Sequence, residues 1–501
     1  MKRIGNYRGA RLLNLLYSGV AAAAVTSFLW ATTRNEVSLM EAATAFFLMM
    51  VPWHSYRQWR TQHNEELPFF AMFAFMYWLY YGLQLFWGDL AIDVGESFFG
   101  RSVDPSNIRD ALVMVLLGVT CLWLGMRSPF ARLILQRRQP QLEVNETRWN
   151  YVRAVLVVTS AITILEPSSY LFGEGGRQAL GIFLSIVPLL AFTLLFRRFL
   201  RKEAAKVDKV LILGFLLVRS LTSLSSGWLG SFAGIIILTG AAYAAENRRI
   251  PRLALVLVLG VILFFQVGKQ DFRQTYWTDQ TNVGQRERVS FWVNRSIERW
   301  GESLNDPSGN ALRGNLSSTL SRVGLLAQTG DVLEQTPTVV PFQNARLYSY
   351  LLYTWIPRAI WPDKPSMNEA NQYYQVAYGL TSVDDLDQVS IAVGFLTEAY
   401  MSFGWPGVVF IMFIVGIVLD LYRRLFFSKS AGLILSSLGI VLLPQMFGIE
   451  SQMAAYVGGI VQQIVFSLAV MFPAILWKQA RLVRLPVRRT RAVTEAVLER
   501  Y

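Results

Sequence analysis

The sequence predicts an all-α polytopic membrane protein with about 12 transmembrane helices and one large outer loop. Hydrophobic residues make up 53% of the 501 residues and charged residues only 16%, whereas soluble globular domains carry about 25% charged residues. Apolar runs of roughly 17–25 residues, long enough to cross a bilayer as a helix, recur along the chain. The only cysteine, Cys121, excludes a disulfide framework, and no Cys/His spacing typical of structural zinc is present.

The apolar runs define the predicted spans and divide the chain. They lie near residues 11–32, 37–56, 68–88, 108–126, 151–171, 179–196, 210–228, 229–245, 252–269, 404–422, 431–448 and 455–477. We expect the first run to be a signal anchor, since no small-residue cleavage site follows it. The predicted regions are 1–269 with spans 1–9, 270–403 as the outer loop, 404–477 with spans 10–12, and 478–501 as a basic tail.

The basic residues alternate between the connecting segments. With the N-terminus inside, the inner segments hold 30 lysines and arginines, and the short outer loops hold only Arg34, Arg101 and Arg177. This positive-inside pattern predicts cytoplasmic termini and a long loop on the outer side of the membrane. It also explains the net charge of +13 as a signal for topology and lipid headgroups, so we expect no nucleic-acid partner.

The 134-residue segment 270–403 is too long for an ordinary connection. The stretch "GQRERVSFWVNRSIERWGESL" carries apolar residues, two tryptophans among them, at helical spacing on one face. This pattern predicts an amphipathic helix suited to lying on the membrane surface. A second, weaker helix is predicted from Leu316 to Leu333.

Two predicted spans carry polar stripes. In the seventh the stripe is Arg219, Thr222, Ser223 and Ser226, and in the ninth it is Gln266, Lys269, Gln270 and Arg273. An arginine near the bilayer centre is costly and commonly functional, although a neighbouring helix that satisfies it is the alternative. For the ninth span, a helix simply emerging into water is the alternative. Together the stripes favour a cationic cavity open to the outer leaflet.

Such a cavity suits phosphate groups, because the guanidinium fork binds phosphate oxygens bidentately. The outer loop adds Arg313, Arg322, Arg346 and Arg358. It is also rich in aromatic residues, Tyr353 and Trp361 among them, whose faces suit the C–H patches of sugar rings. An interfacial aromatic belt is the alternative explanation for these rings.

The stretch "SYLLYTWIPRAIWPDKPSMNE", 349–369, contains three prolines within nine residues. Prolines stop a helix and fix φ. We therefore expect a rigid interfacial segment that holds Arg358, Asp363 and Lys364 ready for a charged headgroup. An ordinary surface turn with solvated charges is the alternative.

This stretch resembles a motif of the Wzy-type oligosaccharide repeat-unit polymerases, which make O-antigen and exopolysaccharide and are related to the O-antigen ligases. The resemblance rests on Pro357-Arg358, the Trp-Pro-Asp-Lys-Pro run 361–365, Glu398, and Phe403-Gly404. It covers about residues 340–410 and implies a membrane glycosyltransferase of the GT-C kind. Such an enzyme uses an undecaprenyl-pyrophosphate-linked oligosaccharide as its substrate and requires no nucleotide sugar, metal or other cofactor. A chain-length regulator protein is a further possible partner.

The resemblance implies roles for individual residues. Arg219, Arg273 and Arg358, with Lys269, Arg322, Arg346 and Lys364, are expected to neutralise the leaving pyrophosphate. Both histidines, His54 and His63, lie toward the cytoplasmic side, which leaves carboxylates as the base. The candidates for the base are Glu398, Asp363 and Glu450. Asp363 paired with Arg358 or Lys364 is the alternative, and Asp385 and Asp387 are expected to lie in a solvated turn. An O-antigen ligase and a lipid-linked oligosaccharide flippase are the rival functions.

Overall fold

The computed structural model describes residues 2–33, 35–62, 66–88, 90–92, 101–135, 140–165, 174–227, 229–276, 284–309, 311, 314–315, 324–358, 360–361, 363–365, 369–384, 386, 391–428 and 431–479. The described residues are predominantly helical, with two short antiparallel strand pairs. Most helices are packed side by side around one large hydrophobic core, and a separate small cluster contains Leu229, Phe265, Phe272 and Trp292.

The helices up to the outer loop are α1 Lys2–Ala31, α2 Leu39–Gln62, α3 Phe69–Trp87, α4 Pro105–Arg127, α5 Phe130–Ile134, α6 Trp149–Leu165, α7 Glu174–Leu200, α8 Lys206–Ser225, α9 Leu229–Asn247 and α10 Arg252–Val267. A π-helical turn, Trp78–Gly82, interrupts α3. Asp104 begins α4, since its carboxylate accepts from the Ser106 amide at 2.7 Å, and Pro105 supplies the first helical φ.

The outer loop contains α11 Lys269–Tyr276, α12 Gln285–Asn305, α13 Leu326–Gln335, α14 Arg346–Ser349 and α15 Glu369–Ala377. The last helices are α16 Phe395–Phe427, α17 Gly432–Met446 and α18 Met453–Met471. The strands are β1 Ala91–Ile92, β2 Arg101–Ser102, β3 Pro140–Val144 and β4 Ile475–Gln479. β1 pairs with β2, and β3 pairs with β4 in the register Pro140 to Gln479.

The coarse prediction of a helical, multi-pass membrane protein is confirmed. Among the described residues, seven helices are long and apolar enough to cross a membrane, and eight if the bent pair α10–α11 is one span. Each of the twelve predicted spans coincides with a helix, but α2, α6, α8 and α17 are too short or too polar for these criteria. Twelve spans therefore remain a prediction.

Contacts between connecting segments define two ends of the helix bundle. At one end, the Thr33 hydroxyl donates to the Phe86 carbonyl at 2.8 Å, and Arg101 pairs with the buried carboxylate of Asp331. At the other end, β3 pairs with β4 across more than 330 residues of chain. Segments predicted to share a side of the membrane thus touch each other, as an alternating path requires.

Helices α4 and α16 cross at very short range through Gly125 and Gly416. A Cβ on Gly416 would lie 2.1 Å from the Leu122 carbonyl oxygen, and one on Gly125 would lie 2.1 Å from that of Phe413. Small residues allow this backbone approach, which is a common way for membrane helices to associate. The crossing fixes α16, the helix that carries Glu398 and the Phe403-Gly404 pair.

Two details of the outer loop differ from the sequence predictions. The chain bends by 53° between α10 and α11, so Gln266 does not continue along one straight helix with Lys269, Gln270 and Arg273. The amphipathic helix α12 forms as predicted, but part of its apolar face packs on protein. Trp292 is fully buried, and its indole donates to the Phe265 carbonyl at 2.9 Å, whereas Ile297 and Leu304 of the same face are exposed.

The second predicted loop helix, Leu316 to Leu333, is described only in its later part. The described helix α13 runs over Leu326–Gln335. Residues 316–323 lie outside the described residues. Leu326 starts the helix because its amide donates at 2.6 Å to the side-chain carbonyl of Gln84, a long-range contact with α3 that local sequence does not reveal.

Candidate functional site

The proline-rich motif segment, residues 350–365, lies against α18 at the outer-loop end of the bundle. Its anchor is Thr354, which is fully buried and donates its hydroxyl to the Ala454 carbonyl at 2.7 Å. Gly458 lies directly beneath Thr354, since a Cβ there would come within 2.2 Å of the Thr354 hydroxyl. Gln462, one turn further along α18, donates to the Thr354 and Trp355 carbonyls at 3.4 and 3.5 Å.

Lys364 binds backbone carbonyls on the buried side of this segment. The side chain is 2% exposed, and its ammonium donates to the Ile356 carbonyl at 2.7 Å and to the Thr354 carbonyl at 3.3 Å. Burial, and then the nearby Arg358 guanidinium, lower the pKa of Lys364. Lys364, predicted to contact substrate, thus points into the protein and bridges the two ends of the segment 354–364.

The outward face of the motif segment carries Arg358 and aromatic rings. Arg358 is half-buried, and its guanidinium donates to the Pro365 carbonyl at 3.4 Å. The rings of Tyr353 and Trp361 meet edge to face with centroids 5.6 Å apart. Trp361 is 40% exposed and Ile360 is 76% exposed. A guanidinium, two sugar-sized aromatic faces and an aliphatic edge therefore lie on one short segment.

Glu398 lies in the first turn of α16 and is fully buried. Its Oε2 accepts from the backbone amide of Met453, the first residue of α18, at 2.7 Å. A carboxylate at this position satisfies a free amide of the helix N-terminus and complements the helix dipole. Oε1 has no hydrogen-bond partner among the described residues. In this arrangement, Glu398 joins the start of α16 to the start of α18.

A short backbone ladder joins the residues before α14 to the turn of α16 that follows Glu398. The amides of Gln343 and Asn344 each donate at 2.9 Å to carbonyls of the α16 turn, Met401 and Ser402 respectively. Tyr348 stacks on Phe403 with centroids 5.9 Å apart. Burial raises the pKa of the Tyr348 hydroxyl well above its ordinary value, and the Glu398 carboxylate adds to the shift.

Gly404 breaks α16 at the predicted start of the tenth span. Its φ of 64° and ψ of −153° belong to a region that only glycine occupies readily. A Cβ there would also lie 3.2 Å from the Phe342 ring. The motif therefore needs a glycine here, because the backbone conformation of Gly404 turns the outer part of α16, Phe395–Phe403, against the longer membrane half of the same helix.

The other predicted residues of this region lie near the surface. Arg346 is exposed, with its guanidinium 5.5 Å from the centroid of the Tyr373 ring. Asp363 is also exposed. Glu450 receives a hydrogen bond from the Tyr80 hydroxyl, and desolvation raises the pKa of the Glu450 carboxyl despite it.

A second group of predicted residues lies around α12. Arg219 is half-buried on α8, which packs against α12, and Lys269 and Arg273 lie on α11, which also packs against α12. A cleft of about 520 Å³ opens between α11 and α12. Its described lining carries Asp271, Glu302 and Arg299, and Arg299 pairs with Asp271 at 2.9 Å, so the described lining is not the cationic cavity that the stripes favoured.

Several predictions fall on residues outside the described part of the chain. They are Arg313, Arg322, Pro362, Asp385 and Asp387. Within the described part, no cluster of three or more His, Cys, Asp or Glu side chains is suited to holding a metal ion.

A protein-family model described as a domain of unknown function, DUF8712, matches residues 116–433, well over half of the chain. The chain belongs to the DUF8712 family. No curated protein and no solved structure matches the chain. The DUF8712 match includes the motif segment, Glu398, and the arginines of α8 and α11, and it ends before α18, on which the motif segment rests.

Sequence reasoning missed the buried polar residues around the motif segment. Thr354 and Gln462 hold the segment and are buried, and buried Gln452 accepts from the Asn371 amide of α15 at 3.2 Å. The available signal was the pair Gln462-Gln463 within a predominantly apolar run, since a polar residue in a span usually has a partner. Nothing local identified Thr354 as that partner.

Proposed function

We propose that this DUF8712 protein is a membrane glycosyltransferase that polymerises undecaprenyl-pyrophosphate-linked oligosaccharide repeat units at the periplasmic face of the bacterial inner membrane. The observation that carries the proposal is the outward face of the motif segment. There a guanidinium, exposed aromatic rings and an exposed aliphatic edge are held together on a buried anchor. The resemblance to the Wzy-type polymerases supports the same assignment.

The chemistry of the substrate matches this face. A lipid-linked saccharide presents an isoprenoid tail, a pyrophosphate and a sugar in that order. Exposed Leu352 and Ile360 suit the tail, Arg358 suits the pyrophosphate, and Tyr353 with Trp361 suit the sugar. All three contacts are available within ten residues of chain.

In the proposed reaction, a hydroxyl of the acceptor saccharide attacks the anomeric carbon of the donor. The new C–O bond forms as the bond from that carbon to the pyrophosphate oxygen breaks, and the lipid pyrophosphate leaves with the bonding electrons. Arg358 and Arg346 stabilise the negative charge that develops on the leaving group. The hydroxyl proton passes to an exposed carboxylate of the outer end, Asp363 or Glu450, or to water.

Reconstitution tests the proposal. The purified protein in lipid vesicles receives one lipid-linked repeat unit as its only substrate, and the products are separated on a gel. We expect a ladder of increasing glycan lengths, together with released lipid pyrophosphate. Folded protein that yields no new lengths from the cognate repeat unit refutes polymerisation. Transfer to a separate lipid acceptor would then indicate a ligase, and movement of the intact substrate across vesicles a flippase.

Arg358 provides the residue-level test. Arg358→Lys keeps the charge and loses the bidentate fork, whereas Arg358→Ala loses both. We expect ladder formation to fall in the order wild type, Lys, Ala, with Arg286→Gln, an exposed charge change on α12, as the control. Equal activity in wild type and Arg358→Ala would remove Arg358 from the mechanism.

A further inference from the structure

One hydrogen-bonded path runs through the buried side of the candidate site. Glu398 holds the Met453 amide, the next residue Ala454 accepts from the Thr354 hydroxyl, and the Thr354 carbonyl accepts from Lys364. The side chains of Glu398, Thr354 and Lys364 are all at most 2% exposed. The path thus connects the first turn of α16, the first turn of α18 and both ends of the motif segment.

We propose that Glu398 and Lys364 are positioning residues, which fix the motif segment so that Arg358 faces the substrate, and that neither touches the substrate. This inference rests on the proposed function for its activity readout only. It replaces the roles that the sequence indicated, a base for Glu398 and a phosphate contact for Lys364.

The argument for Lys364 rests on its burial. Its ammonium lies against the Ile356 and Thr354 carbonyls on the inner side of the segment, whereas Arg358 and Trp361 lie on the partly exposed side. Lys364 is only 2% exposed, so a phosphate would have to open these contacts to reach the ammonium. Holding those carbonyls keeps Arg358 in one place, and a preorganised cation loses less entropy when it binds an anion.

The argument for Glu398 rests on its burial and on its hydrogen bond to the Met453 amide. Glu398 is fully buried, so an acceptor hydroxyl does not reach its carboxylate unless the surrounding chain moves. Its bond to Met453 fixes the beginning of α18, where Ala454 anchors Thr354 one residue later. Moving this helix end would move the motif segment, and misplacement by about 1 Å can cost a hundredfold in rate.

Isosteric and truncating variants of Glu398 separate the two roles. Glu398→Gln keeps an oxygen that accepts from the Met453 amide but cannot act as a base, whereas Glu398→Ala removes the contact. We expect the Gln variant to retain activity within about threefold and the Ala variant to lose about tenfold or more, mainly in kcat. An inactive Gln variant with an ordered motif segment would overturn the inference in favour of a base.

Backbone hydrogen exchange provides a readout that does not need activity. We expect faster exchange of the amides of 350–361 in Glu398→Ala and Lys364→Met, and unchanged exchange in Arg358→Ala and in the Arg286→Gln control. If Lys364→Met does not fold, Gln462→Leu, which removes weaker bonds to the same carbonyls, takes its place. Unchanged exchange in both Glu398→Ala and the Lys364 or Gln462 variant would refute the positioning role.

The two readouts keep this inference separate from the proposed function. If the wild-type protein forms no ladder, polymerisation fails, and the exchange measurements still decide whether Glu398 and Lys364 order the motif segment. If the ladder forms and exchange does not respond to either variant, the positioning role alone fails.

Discussion

Replacing Gly416 by alanine tests the packing that holds α16 in place. The added Cβ would lie 2.1 Å from the Leu122 carbonyl oxygen and 3.0 Å from the Gly125 Cα, whereas ordinary contact begins at 3.4 Å. Both neighbours are backbone atoms of α4, so no side chain can rotate away. The two helices must separate, and packing is lost along their shared interface.

We expect this overpacking to cost about 1–3 kcal/mol of unfolding free energy. Gly214 in α8 offers a matched control, because a Cβ there meets nothing within 4 Å. In a helix interior with free space, glycine to alanine stabilises by about 0.5–1 kcal/mol. The same chemical change is therefore expected to have opposite signs at the two positions.

The assay uses Cys121, the only cysteine, which is buried in α4. A thiol-reactive fluorescent dye reports its exposure as detergent-solubilised protein is heated. We expect the transition temperature to fall for Gly416→Ala and to rise slightly for Gly214→Ala. Equal transition temperatures for wild type and Gly416→Ala, or shifts of the same sign in both variants, would refute the close α4–α16 crossing.

Three further predictions concern the ion pairs, the break in α16 and the topology. Arg197 is buried and pairs with Glu246 at 2.6 Å, so Arg197→Met is expected to cost about 3–5 kcal/mol in the same dye assay; exposed Lys206→Met is the control, and an equal effect of both would contradict the pairing. Gly404→Ala is expected to cost about 1–3 kcal/mol because of its backbone conformation, so full recovery on adding Phe342→Ala would show that the ring contact, not the backbone, is responsible. In a Cys121→Ser background, we expect a membrane-impermeant maleimide to label Ser308→Cys in intact spheroplasts. We expect it to label Lys202→Cys only after permeabilisation. The reverse pattern would show that the membrane orientation is opposite to the predicted one.

The sequence predicted the helical segments well because a membrane-spanning helix satisfies its own backbone hydrogen bonds and needs only apolar length. Every predicted span therefore coincides with a helix, and the break before the tenth span coincides with Gly404. The amphipathic pattern of α12 also predicted a helix correctly. Periodicity identifies an apolar face without showing what covers it: Trp292 packs on the Phe265 region of α10, whereas Ile297 and Leu304 are exposed.

The candidate site was only partly accessible to sequence reasoning. The motif drew attention to the segment of the candidate site, but charge and proline content do not indicate which way a side chain points. Lys364 and Glu398 point inward because carbonyls of 354 and 356 and the free amide of Met453 need partners there. Those needs arise only when α18, about a hundred residues later in the chain, comes to lie against the motif segment.

By itself, the sequence determined the apolar helical architecture and the position of the motif, because these depend on local composition and spacing. The tertiary structure decided which charges are buried and which face outward. It also decided that Gly125 and Gly416 meet, and that Arg295 and Arg299 of α12 pair with Asp271 of α11. These are long-range contacts, in which a residue's environment is set by chain segments far away in sequence, and no local pattern contains that information.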